Sequence, residues 1–268
     1  MNQNTVEALD LADPLAKMRQ EFLLPDNCIY LCGHSLGAFP KCSATQVNKM
    51  MLEQCGQMGV RAWNDADWIN LPANLGNKIA KLIGAKNNEV TVTDSTSINL
   101  FKLLMAGLKL NPDRNIILTE ADNFPTDLYI AQTVAELNLN VKLVRCHRSE
   151  IEHQINDKTA ILFLSHVDYR TGELHDMQAM TDLAHQHGAL MFYDVSHSVG
   201  IYPLTLSVSN VDMAVGCTYK YLNGGPGAPA FLYVAEQHQS AMNSPLTGWM
   251  GHHSPFDFSA DYIPALDV

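Results

Sequence analysis

The chemistry legible in this chain starts at Lys220, in the segment Gly216-Cys-Thr-Tyr-Lys-Tyr-Leu-Asn-Gly-Gly-Pro-Gly-Ala-Pro229. An apolar run delivers the lysine to a Gly- and Pro-rich loop, flanked by tyrosines. Its free amine has a pKa of about 10.4. Burial or a neighbouring cation lowers that value and exposes a nucleophile able to form a Schiff base. The plainer alternative is a solvated surface lysine. Asp194 ends a second apolar run, Leu190-Met-Phe-Tyr-Asp194, with His197 three residues on. It reads either as a site carboxylate supported by that histidine or as a helix N-cap. Asp94-Ser-Thr-Ser97 lies between a strand pattern and a helix pattern. Hydroxyls and free amides there, Thr96 and Ser97 among them, suit an anion, or simply cap the helix. In Asn123-Phe-Pro-Thr-Asp127, Phe124 could stack on a flat ring and Asp127 could reach a polar substituent. Otherwise this is a capped helix start with Pro125 in its first turn.

Other groups carry less. His185, His187, His252 and His253 lack ligand spacing with a partner acid or cysteine, so no metal is expected. The glycines at 224–227 do not follow the order of a dinucleotide-binding loop. Arg61, Trp63, Asp65, Asp67 and Trp68 read as a polar aromatic loop.

These residues need elements to hold them. Strand patterns fall at Cys28–Leu31, Glu89–Thr93, Asn115–Thr119, Val141–Arg145, Thr159–Ser165, Ala189–Asp194, Met213–Cys217 and Pro229–Val234. Runs such as ILFLS and ALMFYD are continuous rather than alternating, as in strands covered on both faces. Helical patterns fall at Ala44–Met58, Asn74–Ile83, Ile98–Leu108, Thr126–Asn138 and Met177–His187, and a short amphipathic helix is expected near the N-terminus. Strands alternating with helices predict an α/β fold of three layers with a mostly parallel central sheet. On such sheets ligands bind beyond the carboxyl ends of the strands, where the residues above lie.

The chain has 268 residues, 47% hydrophobic and 17% charged, with a net charge of −11. That is enough to bury one sizeable core. The acidic balance argues against nucleic acid. No run of about 18 apolar residues suggests a membrane span. The N-terminus lacks a secretory pattern, so a cytoplasmic protein is expected. The six cysteines then read as reduced thiols buried as small hydrophobes.

In order, an anion loop, an aromatic, an acid and a lysine resemble fold-type-I enzymes that use pyridoxal phosphate (PLP), whose ring takes a carboxylate against its nitrogen. Within these, YLCGHSLG (Tyr30–Gly37), NFPTD (Asn123–Asp127), DVSHSVG (Asp194–Gly200), GCTYKYLNGGPGAPAF (Gly216–Phe231) and GWMGHHSPFDF (Gly248–Phe258) resemble kynureninase. The resemblance implies an N-terminal helical segment over 1–29 and a PLP-binding large domain over 30–268. It implies that Thr96 and Ser97 hold the phosphate, Phe124 stacks on the ring, and Asp127 and Ser165 line its polar edge. Asp194 would pair with the ring nitrogen beside His197, Tyr219 would contact the phosphate and assist proton transfer, and Lys220 would carry the cofactor. Trp249 would close the phosphate side, across a homodimer interface. The implied reaction is hydrolysis of L-kynurenine or 3-hydroxykynurenine to the anthranilate and L-alanine, in tryptophan catabolism and NAD biosynthesis. Two departures stand out. His34 replaces an asparagine on the substrate side, and the chain stops at Val268, where the family continues into a small C-terminal domain carrying a substrate-binding arginine. A desulfurase-like lyase, an aminotransferase and a non-catalytic PLP-binding remnant remain alternatives.

Overall fold

The computed structural model describes residues 2–138 and 140–265. Its centre is a sheet of seven strands: β3 (Val90–Val92), β4 (Ile116–Glu120), β5 (Lys142–Cys146), β6 (Thr159–Ser165), β7 (Leu190–Asp194), β8 (Met213–Gly216) and β9 (Phe231–Val234). They lie in the order β3-β9-β8-β7-β6-β4-β5. Only β9 runs against its neighbours; the other pairings are parallel. A two-residue pair, β1 (Phe22–Leu23) with β2 (Phe39–Pro40), stands apart from it.

Burial explains the apolar runs. All seven residues of β6 are buried. Their side chains alternate between two cores: Leu162 and Leu164 belong to one, Ile161 and Phe163 to the other. On β7, Met191 and Tyr193 join the first core and Phe192 the second. The second core is completed by α5 (Thr96–Leu110) and α6 (Pro125–Leu137). The first takes α4 (Leu71–Ile83) and α8 (Met177–Gln186). By the two-residue period of a strand, Ser165 and Asp194 share the face that carries α5 and α6. Gly76 on α4 shows how close the layers come: a Cβ there would fall 1.9 Å from the Val90 carbonyl oxygen.

The remaining helices are α1 (Gln3–Ala12), α2 (Lys41–Lys49), α3 (Ala62–Asp65), α7 (Ile151–Gln154) and α9 (Glu236–Gln239). Neither α1 nor α2 buries a residue. No described helix is long and apolar enough to cross a membrane.

Three expectations are corrected. Cys28–Leu31 is not a strand: Ile29 and Leu31 are 86% and 79% exposed, and the segment finds no partner strand among the described residues. The single helix expected over Ala44–Met58 is α2 continued by a π-helical stretch, Met50–Met58. Of the cysteines, only Cys146 and Cys217 are buried; Cys28, Cys32, Cys42 and Cys55 are exposed.

Candidate functional site at the carboxyl edge of the sheet

The strand register brings the acids and the lysine to one edge. Ser165 stands opposite Asp194 across β6 and β7, and Asp194 stands opposite Val215 on β8. Beyond those ends the two loops are laced together. Val195 N–H donates to Val215 O at 2.8 Å, and Cys217 N–H donates to Ser196 Oγ at 3.0 Å. Asp194 Oδ1 accepts from Ser196 N–H at 2.7 Å, which orients the carboxylate. It therefore caps a turn, with no helix behind it.

Lys220 is buried, 7% exposed, and its Nζ meets His197 Nε2 at 2.8 Å. The amine also lies over two rings, 5.5 Å from the centre of Phe124 and 5.8 Å from that of Tyr219. Burial and then the positive charge of Lys220 push the pKa of His197 down, against the opposing charge of Asp194. A neutral His197 can accept a hydrogen bond from the lysine; the pairing is worth roughly 1.5–3 kcal/mol when the donor is charged.

Asp127 joins from α6. It is 2% exposed, and its Oδ2 is enclosed without a hydrogen-bond partner among the described residues. Burial first, then the charge of Asp194, hold its carboxyl well above the usual carboxylate range, while Lys220 and Ser165 pull the other way. Phe124 precedes Pro125 at the start of α6, and its N–H donates to Asn123 Oδ1 at 2.7 Å. Asn123 in turn donates to Thr119 Oγ1 on β4. Thr96 and Ser97 form the first turn of α5, half-buried, with Ser95 as N-cap accepting from Ile98 N–H at 3.3 Å. Asp94 pairs with Lys102.

The segment Tyr30–Gly37 closes over the lysine. Gly37 N–H donates to Tyr219 O at 2.9 Å. A Cβ on Gly37 would fall 2.0 Å from Lys220 O, so only glycine permits this approach. Tyr219 is half-buried, and burial raises its hydroxyl pKa.

Ser165, Asp194, His197, Lys220, Phe124 and Asp127 thus meet, Tyr219 adjoins them, and Thr96 and Ser97 lie beyond β3 on the same edge. Trp249 makes its ring contacts with another set of residues. Its ring contacts are Trp63 at 5.5 Å, Phe256 at 5.5 Å and Phe258 at 6.2 Å, with none of the other expected site residues among them.

Tyr169 and Arg170 escaped the sequence reading. Tyr169 packs edge-on against Phe124 at 5.1 Å and lies near-parallel to His197 at 6.4 Å. The segment Asp168-Tyr-Arg-Thr-Gly172 follows β6, and that position was its only signal.

A pyridine aldehyde with an anionic tail asks for an amine, a carboxylate, an aromatic face, a polar edge and a helix N-terminus. Lys220, Asp194, Phe124, Asp127 with Ser165, and the start of α5 offer these, and the orphaned Asp127 oxygen is an acceptor awaiting a donor. The residues fit the group. No metal-binding cluster occurs among the described residues.

The chain is 46% identical over 263 residues to kynureninase of Burkholderia mallei, covering 96% of this chain and 63% of that protein. It is also 46% identical over 272 residues to kynureninase of Pseudomonas fluorescens, covering 99% and 65%. The chain therefore spans less than two thirds of the length of these relatives. A structure of a C-DES mutant with glycine covalently linked to the PLP cofactor superposes with a TM-score of 0.76 at 18% identity, over 92% of this chain and 66% of that one. That likeness shows the fold. The model of aminotransferase class-V matches residues 65–254; on that match, the chain belongs to the aminotransferase class-V family.

Proposed function

We propose that this chain is the PLP-binding part of a kynureninase, acting in the hydrolytic cleavage of L-kynurenine or its 3-hydroxy form to the anthranilate and L-alanine. The observation that carries the reading is the buried Lys220 amine, 2.8 Å from His197, at the strand ends where Asp194 and Asp127 meet. The identity of 46% with two kynureninases supports the choice of reaction. Lys220, Asp194, Phe124, Asp127, Ser165, His197, Tyr219, Thr96 and Ser97 would hold the cofactor. Bound there, PLP supplies an electron sink for the substrate carbon that gives up its proton.

The chain's own residues do the rest. The Asp194 carboxylate, fixed by Ser196 N–H, places negative charge where a ring cation needs it. Phe124 presents an aromatic face beside the amine. Lys220 Nζ, once free, carries a proton to or from the substrate, and neutral His197 receives the amine's hydrogen bond between transfers. Tyr219, its hydroxyl held protonated at neutral pH by burial, would donate a hydrogen bond on the phosphate side. The buried edge around Asp127 and Ser165 excludes water from the ring.

A homodimer in the cytoplasm, serving tryptophan catabolism and NAD biosynthesis, completes the proposal. Its support is the set of large apolar side chains left exposed at Leu11, Ile29, Leu31, Val60 and Phe258, which a partner surface would cover. Trp249 would act across that interface.

The test is direct. With PLP added, borohydride should fix a pyridoxyl group on Lys220, located by peptide mapping, and Lys220→Ala should abolish it. Attachment to another lysine would refute the assignment. With L-kynurenine, anthranilate fluorescence should rise; release of a keto acid or of sulfide without anthranilate would point to a different reaction.

A further inference from the structure

The loop after β6 carries a clamp that the site as described does not use. Asp168 organises it, its Oδ1 accepting from Arg170 N–H at 2.7 Å and Thr171 N–H at 2.9 Å. The Arg170 guanidinium bridges two carboxylates, Asp168 at 3.2 Å and Asp122 at 3.4 Å. Asp122 lies in the loop after β4, just before Phe124. The bridge thus ties the loops of two adjacent strands. Between them stands Tyr169, with the Arg170 guanidinium carbon 5.6 Å from its ring centre. The ring meets Phe124 edge-on, interplanar angle 83°, and lies at 23° to His197. His197 in turn touches Phe124 edge-on at 6.2 Å and bonds Lys220.

A half-buried imidazole beside a lysine has two ring flips and a range of tilts open to it. What fixes its plane is what packs on its faces. Three rings, Tyr169, Phe124 and His197, lie pairwise within 6.4 Å of one another in a closed triangle, so the tilt of each bears on the other two. The two-carboxylate bridge restrains the loop that brings the tyrosine in. We propose that Tyr169, held by Arg170 between Asp122 and Asp168, is a positioning residue that sets the plane of His197 and, through it, the direction of the Lys220 amine.

The inference rests on Lys220 being the attachment point for PLP. The experiment follows adduct formation by visible absorbance after mixing chain and PLP, and reads the visible circular dichroism of the adduct, which reports how the bound ring is held. Neither readout requires turnover. Tyr169→Phe keeps the ring and should match the parent within about twofold. Tyr169→Ala should slow attachment at least about tenfold, as misplacement of a reacting group does, and weaken the dichroic band. Arg170→Met keeps the tyrosine but frees its loop, and should fall between. Far-ultraviolet dichroism and thermal midpoint of the cofactor-free variants check that the fold is intact.

Tyr169→Ala with the parent's rate and dichroism would overturn the proposal. So would Tyr169→Phe failing as badly as Tyr169→Ala, since the hydroxyl would then be the working part. If Tyr169→Ala fails to fold, Arg170→Met decides: parent-like behaviour refutes the clamp. A parent chain that forms no borohydride-fixed adduct at Lys220 would instead refute the cofactor reading beneath it.

Discussion

Asp127 is buried beside a second carboxylate and leaves one oxygen without a partner, so the cofactor-free fold carries a strained acid. Its folded pKa is raised above the unfolded value. Across the window from the ordinary carboxylate range up to that raised value, the folded chain binds more protons than the unfolded one, and stability falls as pH rises. Asp127→Asn should therefore stabilise the cofactor-free chain at pH 7 by about 1–3 kcal/mol. The gain should fade below about pH 3, where the acid is protonated in the folded and unfolded states alike. Urea unfolding at the two pH values measures this; an equal gain at both would show that charge is not the cause. The same acid was readable in the sequence as part of a capped helix start. Its strain was not, because strain arises from the register of β6 and β7, which sets Ser165 and Asp194 across from each other. Lys220 and Asp194 were plainer: Asp194 ends an apolar run and Lys220 lies in the loop just after one, where polar residues face the edge. Trp249 carried a role by resemblance alone.

The elements were legible in proportion to how completely they are buried. Thr159–Ser165 emerged with the bounds that the sequence suggested, since a strand covered on both faces leaves a continuous apolar signal. Phe163 packs on Phe192 with ring centres 5.0 Å apart in the core under the site. Phe163→Ala should cost about 3–5 kcal/mol in urea unfolding; a loss under about 1 kcal/mol would mean that the strand collapses freely around the cavity. On the other face, Gly76→Ala should cost about 1–3 kcal/mol, because the new Cβ meets the backbone of β3 instead of a yielding side chain. Where apolar residues are not buried, pattern misleads. Cys28-Ile-Tyr-Leu31 has a strand's composition, yet Cys28, Ile29 and Leu31 are exposed and Tyr30 bonds Leu36 O within the loop over the lysine. Likewise Ala44–Met58 carries helical periodicity, but the periodicity does not encode the switch to the wider π-helical turn at Met50.

At the scale of the whole molecule, the amino edge of the sheet has its own fastening, opposite the site. Asp212, just before β8, accepts from Met191 N–H on β7 at 2.7 Å and holds His185 of α8 at 2.8 Å and His238 of α9 at 2.6 Å. Hydrogen bonding to Asp212 raises the pKa of His185. Asp212 itself, despite burial, is lowered by its two histidines and the Met191 amide. The signs give a window. The histidine's contribution is complete below the unfolded imidazole value and is lost as pH rises through the raised one. The aspartate's is complete above the unfolded carboxylate value and is lost as pH falls through the lowered one. The fastening is tightest between about pH 4 and 6.5. The thermal midpoint should peak there and decline toward pH 8, and Asp212→Asn should flatten the curve. An unchanged profile in that variant would place the pH dependence elsewhere.

The reversed direction of β9 has a consequence for the opposite edge. Because it runs against β3 and β8, it reaches that edge with its beginning, where Ala230 bonds the backbone of Thr93 and Asp94. No crossover helix has to leave from that point. The start of α5 and the segment carrying Lys220 are therefore held two strand spacings apart, roughly 10 Å, with a flat floor of backbone between them. The sheet works as a ruler: it fixes the reach of whatever molecule grips the helix at one end and the amine at the other, before any side chain has been chosen.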